Sequence, residues 1–357
     1  MSTARPVPGR IPVFRYSSTP RPGPWRSGGN PDTDSYNPRF VSTPDLQELR
    51  AAVAPHFGGA EMAFEPIRTG RFNAGYFLSG KPGEFVLRVA PPDDAGLLFY
   101  ERRMMRQEPE IHQLIREETN VPVAEVIALD VSRRTVDRDF IIMRRLPGRA
   151  ASDLAFTREM VARLHREVGR SLARIHAITR RRYGYLGAHR PMRPQDSWRA
   201  AFETMWNKLI ADCRRSGGYS REEAALMSRA LRRRLDLFDY ARPASLLHMD
   251  VWAQNVLCDG EGRLTGLVDF DRALWGDPEI EFAVLDYCGF STPEFFAGYG
   301  RPRPDGPGAR ARQVFYYLYE VQKYVVIERL RRNNPARAES YKRQAFTLLT
   351  RAVGMDS

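Results

Sequence analysis

The run His248-Met249-Asp250-Val251-Trp252-Ala253-Gln254-Asn255, followed by Asp269-Phe270-Asp271, gathers the residue types that phosphoryl transfer needs. Between them lie two β-forming stretches, Asn255 to Cys258 and Leu264 to Phe270, joined by the turn-like Asp259-Gly260-Glu261-Gly262-Arg263. A hairpin there brings Asp250, Asn255 and Asp269 to one rim. A carboxylate, an amide oxygen and a second carboxylate together suit a hard cation such as Mg²⁺, which takes oxygen ligands and bridges nucleotide phosphates. The remaining carboxylate can orient an attacking hydroxyl toward the γ-phosphorus of ATP. A single Asp or Asn at a turn is usually a cap or an Asx-turn, so the spaced set carries the reading and no one member does.

The rest of the chain supplies the scaffold in two parts. Residues 1 to 42 are rich in Pro, Arg, Ser and Gly, lack a sustained hydrophobic period and read as a disordered tail. At Ser42-Thr43-Pro44-Asp45, Thr43 is the expected cap of a helix whose apolar face is Leu46, Leu49 and Val53. Met62 to Ile67, Phe72 to Ser79 and Glu84 to Ala90 read as an antiparallel meander. A helix from about Tyr100 to Glu117, spanning Pro109, then precedes strands at Val123 to Leu129 and Asp139 to Leu146. The order β-β-β-α-β-β makes residues 43–148 a small α+β lobe. Residues 149–357 turn mainly helical, with buried faces at Val161, Leu164, Val168, Leu172 and Ile175 and at Trp198, Phe202, Met205, Leu209 and Cys213. Further helices are expected over Arg221 to Phe238, Ile280 to Cys288, Arg310 to Arg331 and Arg337 to Val353.

In Phe85-Val86-Leu87-Arg88 the period of two places Val86 and Arg88 on one face and Phe85, Leu87 and Val89 on the other. Arg88 is then either a solvent-facing arginine or a cation turned toward the catalytic rim. Glu108 is the favoured partner to position it, with Glu110 the alternative.

The segment from His248 to Asp271 resembles the catalytic and metal-binding loops of the aminoglycoside phosphotransferase and choline kinase superfamily. These relatives of protein kinases carry HxDxxxxN followed by a DF or DW dipeptide. Gly276-Asp277-Pro278 is similar to the family's GDP segment, and the likeness runs from about Phe64 to the final helices. It implies a bilobal, protein-kinase-like α+β fold, with 43–148 the nucleotide-binding lobe and 149–357 the catalytic and substrate-binding lobe. Asp250 would be the catalytic base, Asn255 and Asp269 the Mg²⁺ ligands and His248 a brace of the loop. Val86 would roof the adenine, and Arg88 stands where a lysine usually holds the phosphates. The stretch Thr69 to Gly75 would replace a Gly-rich loop, with Asn73 near the phosphates, and the backbone of Met143 and Arg145 would meet the adenine edge. Glu281 departs from the family's usual Asp at the position that bonds the catalytic loop. An aminoglycoside-like acceptor is the family default, with an amino alcohol, sugar or macrolide kinase, or a nucleotide-binding pseudoenzyme, as alternatives. Asp271, Glu279, Asp286 and Glu294 are candidates to supply negative potential for an aminated sugar. The short interval from Asp269 to Gly276 leaves no room for a long activation segment and so argues against a protein substrate.

Composition narrows the partners. The net charge is +12, yet of 55 basic residues four are lysine and the rest are arginines scattered end to end, unlike the stripe a nucleic-acid site needs. Cys213, Cys258 and Cys288 are odd in number and widely spaced, which fits neither a disulfide framework nor a zinc site. No apolar run has the ~18 residues that span a bilayer, and no apolar leader follows the N-terminal charges, so a cytoplasmic protein acting on a small molecule is expected.

Overall fold

The computed structural model describes residues 44–68, 72–93, 96–239 and 241–354. The tail expected over residues 1 to 42, and the cap expected at Thr43, lie outside them. Helix α1 (Leu46–Val53) is capped by Asp45, whose carboxylate accepts from the amides of Gln47 at 2.7 Å and Glu48 at 3.3 Å.

Strands β1 (Ala63–Ile67), β2 (Ala74–Gly80) and β3 (Gly83–Val89) form the meander; α2 (Glu108–Glu118), β4 (Val126–Asp130) and β5 (Phe140–Arg144) complete the small lobe. The antiparallel sheet has the order β1-β2-β3-β5-β4. Its outer face buries Phe85, Leu87 and Val89 against Leu49, Ala52 and Val53 of α1, leaving Val86 and Arg88 on the face toward the second lobe. Helix α2 begins later than its hydrophobic pattern suggests. Residues 104–107 form a 3-10 turn, and Pro109 falls in the first turn of the α-helix, where its missing N–H costs nothing.

The large lobe continues with β6 (Arg149–Ala150), α3 (Arg158–Ala177), β7 (Thr179–Arg180), α4 (Trp198–Arg215), α5 (Arg221–Arg232), β8 (Ala244–Leu247), β9 (Val256–Cys258), β10 (Leu264–Leu267) and β11 (Leu274–Gly276). Helices α6 (Glu279–Cys288), α7 (Pro293–Tyr299), α8 (Pro307–Leu330) and α9 (Pro335–Gly354) close it. Two small sheets, β10-β9-β6 and β11-β8-β7, carry the loops of interest. Of the residues the periodicity marks on α3 and α4, all but the half-buried Val161 lie inside one core that extends through α6 and α8.

The lobes join at Gly148, whose φ of +92° suits glycine and whose missing Cβ leaves room for the Cys258 carbonyl and the Thr265 hydroxyl on the β9–β10 hairpin. Elsewhere α3 and α7 pack closely through Gly169 and Gly298, each against the other helix's backbone. Beside that contact His165 is buried, bonded to Thr292 at 2.9 Å and set against the Phe290 ring. Burial pulls its pKa down from 6.5 to about 4. The unfolded chain therefore takes up this proton first, and the stability tied to neutral His165 is lost as pH falls from about 6.5 toward 4. Between about pH 7.5 and about pH 5, His165→Gln should lose about 2 kcal/mol less stability than wild type in urea melts, and equal losses would refute this. Among the described residues no helix is long and apolar enough to cross a membrane, and the three cysteines are unpaired.

Candidate active site

The loop after β8 is held from behind. Glu281, fully buried on α6, accepts from the backbone amides of Met249 at 2.6 Å and His248 at 3.2 Å, and from His176 Nε2 at 2.7 Å. Burial opposes its charge, but the His176 hydrogen bond, the two nearby histidines and the Met249 amide keep its carboxyl below the usual range. The longer Glu thus makes the loop contact expected of an Asp. His248 is a brace in the same sense: its Nε2 bonds the Val268 carbonyl at 3.1 Å, its ring packs on Phe270 at 4.2 Å, and the Asp250 amide reaches its Nδ1 at 3.3 Å. Met249 takes a φ of +66°, a conformation costing about 1–3 kcal/mol that the surrounding bonds hold in place. Glu281→Gln keeps one carbonyl-type acceptor where two oxygens now serve three donors. It should cost about 1–3 kcal/mol in thermal or urea unfolding and lower turnover with little change in KM for ATP. A variant with wild-type stability and turnover would contradict that role.

The front of the loop presents Asp250. Asn255 Nδ2 donates to its carboxylate and its carbonyl, both at 2.9 Å, and Arg272 Nη1 approaches the other carboxylate oxygen at 3.3 Å. With its nitrogen so committed, Asn255 has its amide oxygen as the donor atom for a cation. Asp269 ends the hairpin at a φ of +72°, and the β9–β10 pairing sets it on the same side as Asn255, so that both line one cleft.

Arg88 does turn toward this rim. Its guanidinium bonds Glu108 at 2.6 Å, Asp269 at 2.7 Å and Asp271 at 3.0 Å. Burial alone would lower its pKa, but the three carboxylates outweigh burial and raise it. Glu110, the alternative partner, instead pairs with Arg180 at the surface. Carboxylate oxygens of Glu108, Asp269 and Asp271 lie within 4.8 Å of one another with Arg88 as the cation among them. Burial, reinforced by Asp269, pushes the Asp271 carboxyl well up. Three acids around a single arginine offer more oxygen donors than Arg88 engages, and a divalent cation of the hard, oxygen-seeking kind would favour the ionised form of Asp271 that burial opposes.

Asp271 is the residue that spacing alone left among the acceptor candidates. Here it bonds Asn73 Nδ2 at 3.2 Å as well as Arg88, and Gln107 Nε2 ties down its carbonyl and that of Ala273. The other three acids offered for an aminated acceptor do not gather beside it: Asp286 pairs with Arg303, Glu279 with Arg312, and Glu294 is on α7, where its charge acts on His165 of α3. Asp277 of the Gly-Asp-Pro segment is structural. It accepts from the Glu279 amide and the Tyr316 hydroxyl, and burial pushes its pKa up to about 6.

A cleft of about 440 Å³ opens between the lobes, lined by Val86, Arg88, Asn73, Met143, Arg145 and Asn255 among others. Glu108, buried behind Arg88, does not line it. Hydrogen bonding at the hinge shifts one expectation. The Arg145 amide donates to Glu84 and the Arg144 amide to Glu125, while Met143 sits in the ladder opposite Val86 and Val126. Of the amides after Met143, that of Leu146 is the first without a backbone partner among the described residues, and Leu146 lines the cleft. The part of the Thr69-to-Gly75 stretch at 69–71 lies outside the described residues. A second cleft of about 370 Å³ meets the first at Asp269 and contains Asp250.

Residues 63–312 match the profile of the Phosphotransferase enzyme family. The homoserine kinase of Pseudomonas aeruginosa is 30% identical over 260 residues, covering 70% of this chain and 72% of that protein. A Vibrio parahaemolyticus protein named as a probable ketoamine kinase is 36% identical over 86 residues, which span 24% of this chain and only 28% of its relative. Among solved structures, the aminoglycoside phosphotransferase APH(4)-Ia in a ternary complex with ADP and hygromycin B superposes with a TM-score of 0.59 at 19% identity, covering 86% of this chain and 99% of that one. The matched segment runs from β1 into α8 and contains Asp250, Asn255, Asp269 and Arg88, so the chain belongs to the Phosphotransferase enzyme family and has its α+β, kinase-like fold.

Proposed function

We propose that the protein transfers the γ-phosphate of ATP to a hydroxyl of a small molecule in a Mg²⁺-dependent reaction. The observation that carries this reading is the placement of Asp250 in a second cleft that meets the inter-lobe cleft at Asp269. Asp250 accepts the hydrogen bond of the acceptor hydroxyl and aims its oxygen along the line of transfer, and Asn255 and Arg272 fix the carboxylate while it does so. Asn255, Asp269 and Asp271 would hold the cation, which when bound offsets the charge of the phosphate oxygens. Val86 and Met143 form the apolar wall for the base, and Asn73 and Arg88 stand beside the phosphates.

The relatives broaden the acceptor beyond the aminoglycoside default, since they are named for homoserine and ketoamine substrates. A γ-labelled ATP assay on the full chain, with and without chelation of Mg²⁺, should be run over aminoglycosides, amino alcohols, homoserine and sugar amines. Transfer to at least one class, abolished by chelation, is expected. No transfer together with no Mg²⁺-dependent ATP consumption would favour the pseudoenzyme reading instead.

A further inference from the structure

We infer that the acceptor is an uncharged compound carrying an apolar ring, aromatic or alicyclic, near its reactive hydroxyl, and that tyrosines of α6, α8 and α9 bind that ring. This substrate class rests on the phosphotransfer reading. Along α8 and its C-cap, Glu320, Lys323, Tyr324, Ile327 and Arg331 recur every three or four residues, so they share one helix face, and all five line the second cleft. The charges on that face are met within the cleft. Glu320 pairs with Lys323 and, at 2.9 Å, with Arg272, whose other terminal nitrogen reaches Asp250 at 3.3 Å; Arg331 pairs with Glu101. Among the described residues five cations and five carboxylates line the cleft, a balance that favours an acceptor of neither sign.

The other large part of the lining is aromatic. Tyr287 of α6, Tyr324 of α8 and Tyr341 of α9 all line this cleft, and each is half-buried. Tyr324 stacks on both of the others, with ring centroids 4.9 Å apart and planes 21° apart in each case. The Tyr287 and Tyr341 hydroxyls bond one another at 2.9 Å, which leaves ring carbon as the surface an acceptor meets. Ile327, one turn on from Tyr324, extends that surface. Asp250 lines the same cleft, and its charge acts on Cys288 and Lys323, the chain neighbours of Tyr287 and Tyr324, although burial dominates the titration of both. A ring held by the tyrosines therefore leaves a nearby hydroxyl within reach of the carboxylate. Aromatic walls attract rings or cations, and here cations of the protein already stand over them. Lys323 Nζ lies 4.9 Å from the Tyr324 ring centroid, and the Arg272 guanidinium 5.3 Å from that of Tyr100. An aminated acceptor would meet those two charges, whereas an uncharged ring gains contact area without displacing them. Size points the same way. A cleft of about 370 Å³ falls in the range of roughly 300–1,000 Å³ that encloses drug-sized ligands, and an open-chain acceptor such as homoserine would fill only part of it.

The test uses the full chain with labelled ATP and Mg²⁺, and matched uncharged acceptors that differ in the ring alone: phenyl and methyl β-glucosides, and the phenyl and methyl ethers of glycerol. Homoserine and an aminoglycoside are run alongside. We expect kcat/KM for each phenyl compound to exceed that of its methyl partner by at least about 10-fold, an effect in the range for burying one aromatic ring against others. Tyr324→Leu and Tyr341→Leu should each bring that ratio below about threefold by raising KM for the phenyl compound. Tyr324→Phe should keep it, because the ring and not the hydroxyl makes the contact. In parallel, thermal midpoints of the wild type are recorded with saturating ADP and Mg²⁺, which occupy the inter-lobe cleft, so that a compound bound without turnover still reports on the tyrosines. Greater stabilisation by phenyl than by methyl compounds supports the inference. Equal ratios with equal stabilisation, no stabilisation by any phenyl compound, a ratio that survives both Leu variants, or preferred phosphorylation of homoserine or the aminoglycoside overturns it and leaves the phosphotransferase reading standing. Loss of all Mg²⁺-dependent ATP turnover by the wild type would instead count against that reading, and the thermal midpoints would then decide the ring preference by themselves.

Discussion

Asp250→Asn is expected to lower kcat for phosphoryl transfer by about 10²–10⁴-fold, the range for removing a general base, while KM for ATP moves by less than about threefold. The amide has nearly the shape of the carboxylate and can still present one oxygen to Asn255 Nδ2 or to Arg272. What it cannot do is bear the charge that, in the proposed mechanism, draws and orients the acceptor hydroxyl. The thermal midpoint should stay within a few degrees of wild type, because Asp250 is partly exposed and the loop behind it is held through Glu281 and His248. Single-turnover assays with labelled ATP separate chemistry from binding. A variant retaining a third or more of the wild-type rate would remove Asp250 from the mechanism.

The second large effect is expected at Asp269. Its φ of +72° makes Asn the informative replacement, since Asn accepts this conformation and Ala would add strain of roughly 1–2 kcal/mol. Asp269→Asn removes one of the three charges around Arg88 and one oxygen ligand of the proposed cation. The Mg²⁺ concentration giving half-maximal activity should rise by at least about 10²-fold, beyond what the loss of a supporting residue produces. Titration calorimetry of ATP with and without Mg²⁺ is the direct measurement. Unchanged Mg²⁺ dependence would mean that the cation is held by other groups, with Asp271 and Glu108 the next to replace.

Much of this site is local in sequence, and local spacing made it legible. Asp250 and Asn255 share one tight loop, and the hairpin between Asn255 and Asp269 is short enough to have few conformations. Alternation along β3 likewise sent Val86 and Arg88 to one face, because the side-chain period of a strand is 2 whatever the tertiary context. The short pieces β6, β7, β8 and β11 escaped notice, as did α7, since two to seven residues hold too few periods to separate strand, helix and loop. The start of α2 was misjudged for a different reason: residues 100–107 carry helical hydrophobic spacing but turn as 3-10 and loop, and Pro109 marks the true first turn.

By itself the sequence determined the candidate site residues, the α+β order and most of the buried faces of the long helices, because each depends on spacing within a few turns or one hairpin. Only the tertiary structure decided between Glu108 and Glu110, because both sit on the same helical turn and their choice depends on how α2 lies against β3. It moved Asp271 from the acceptor side into the acid cluster around Arg88, and showed that the extra methylene of Glu281 still reaches the loop amides. The pairing of charges in the second cleft was likewise invisible in one dimension. Glu101, Arg272, Lys323, Arg331 and Arg337 are spread over more than half of the chain, and which carboxylate answers which cation is a property of packing.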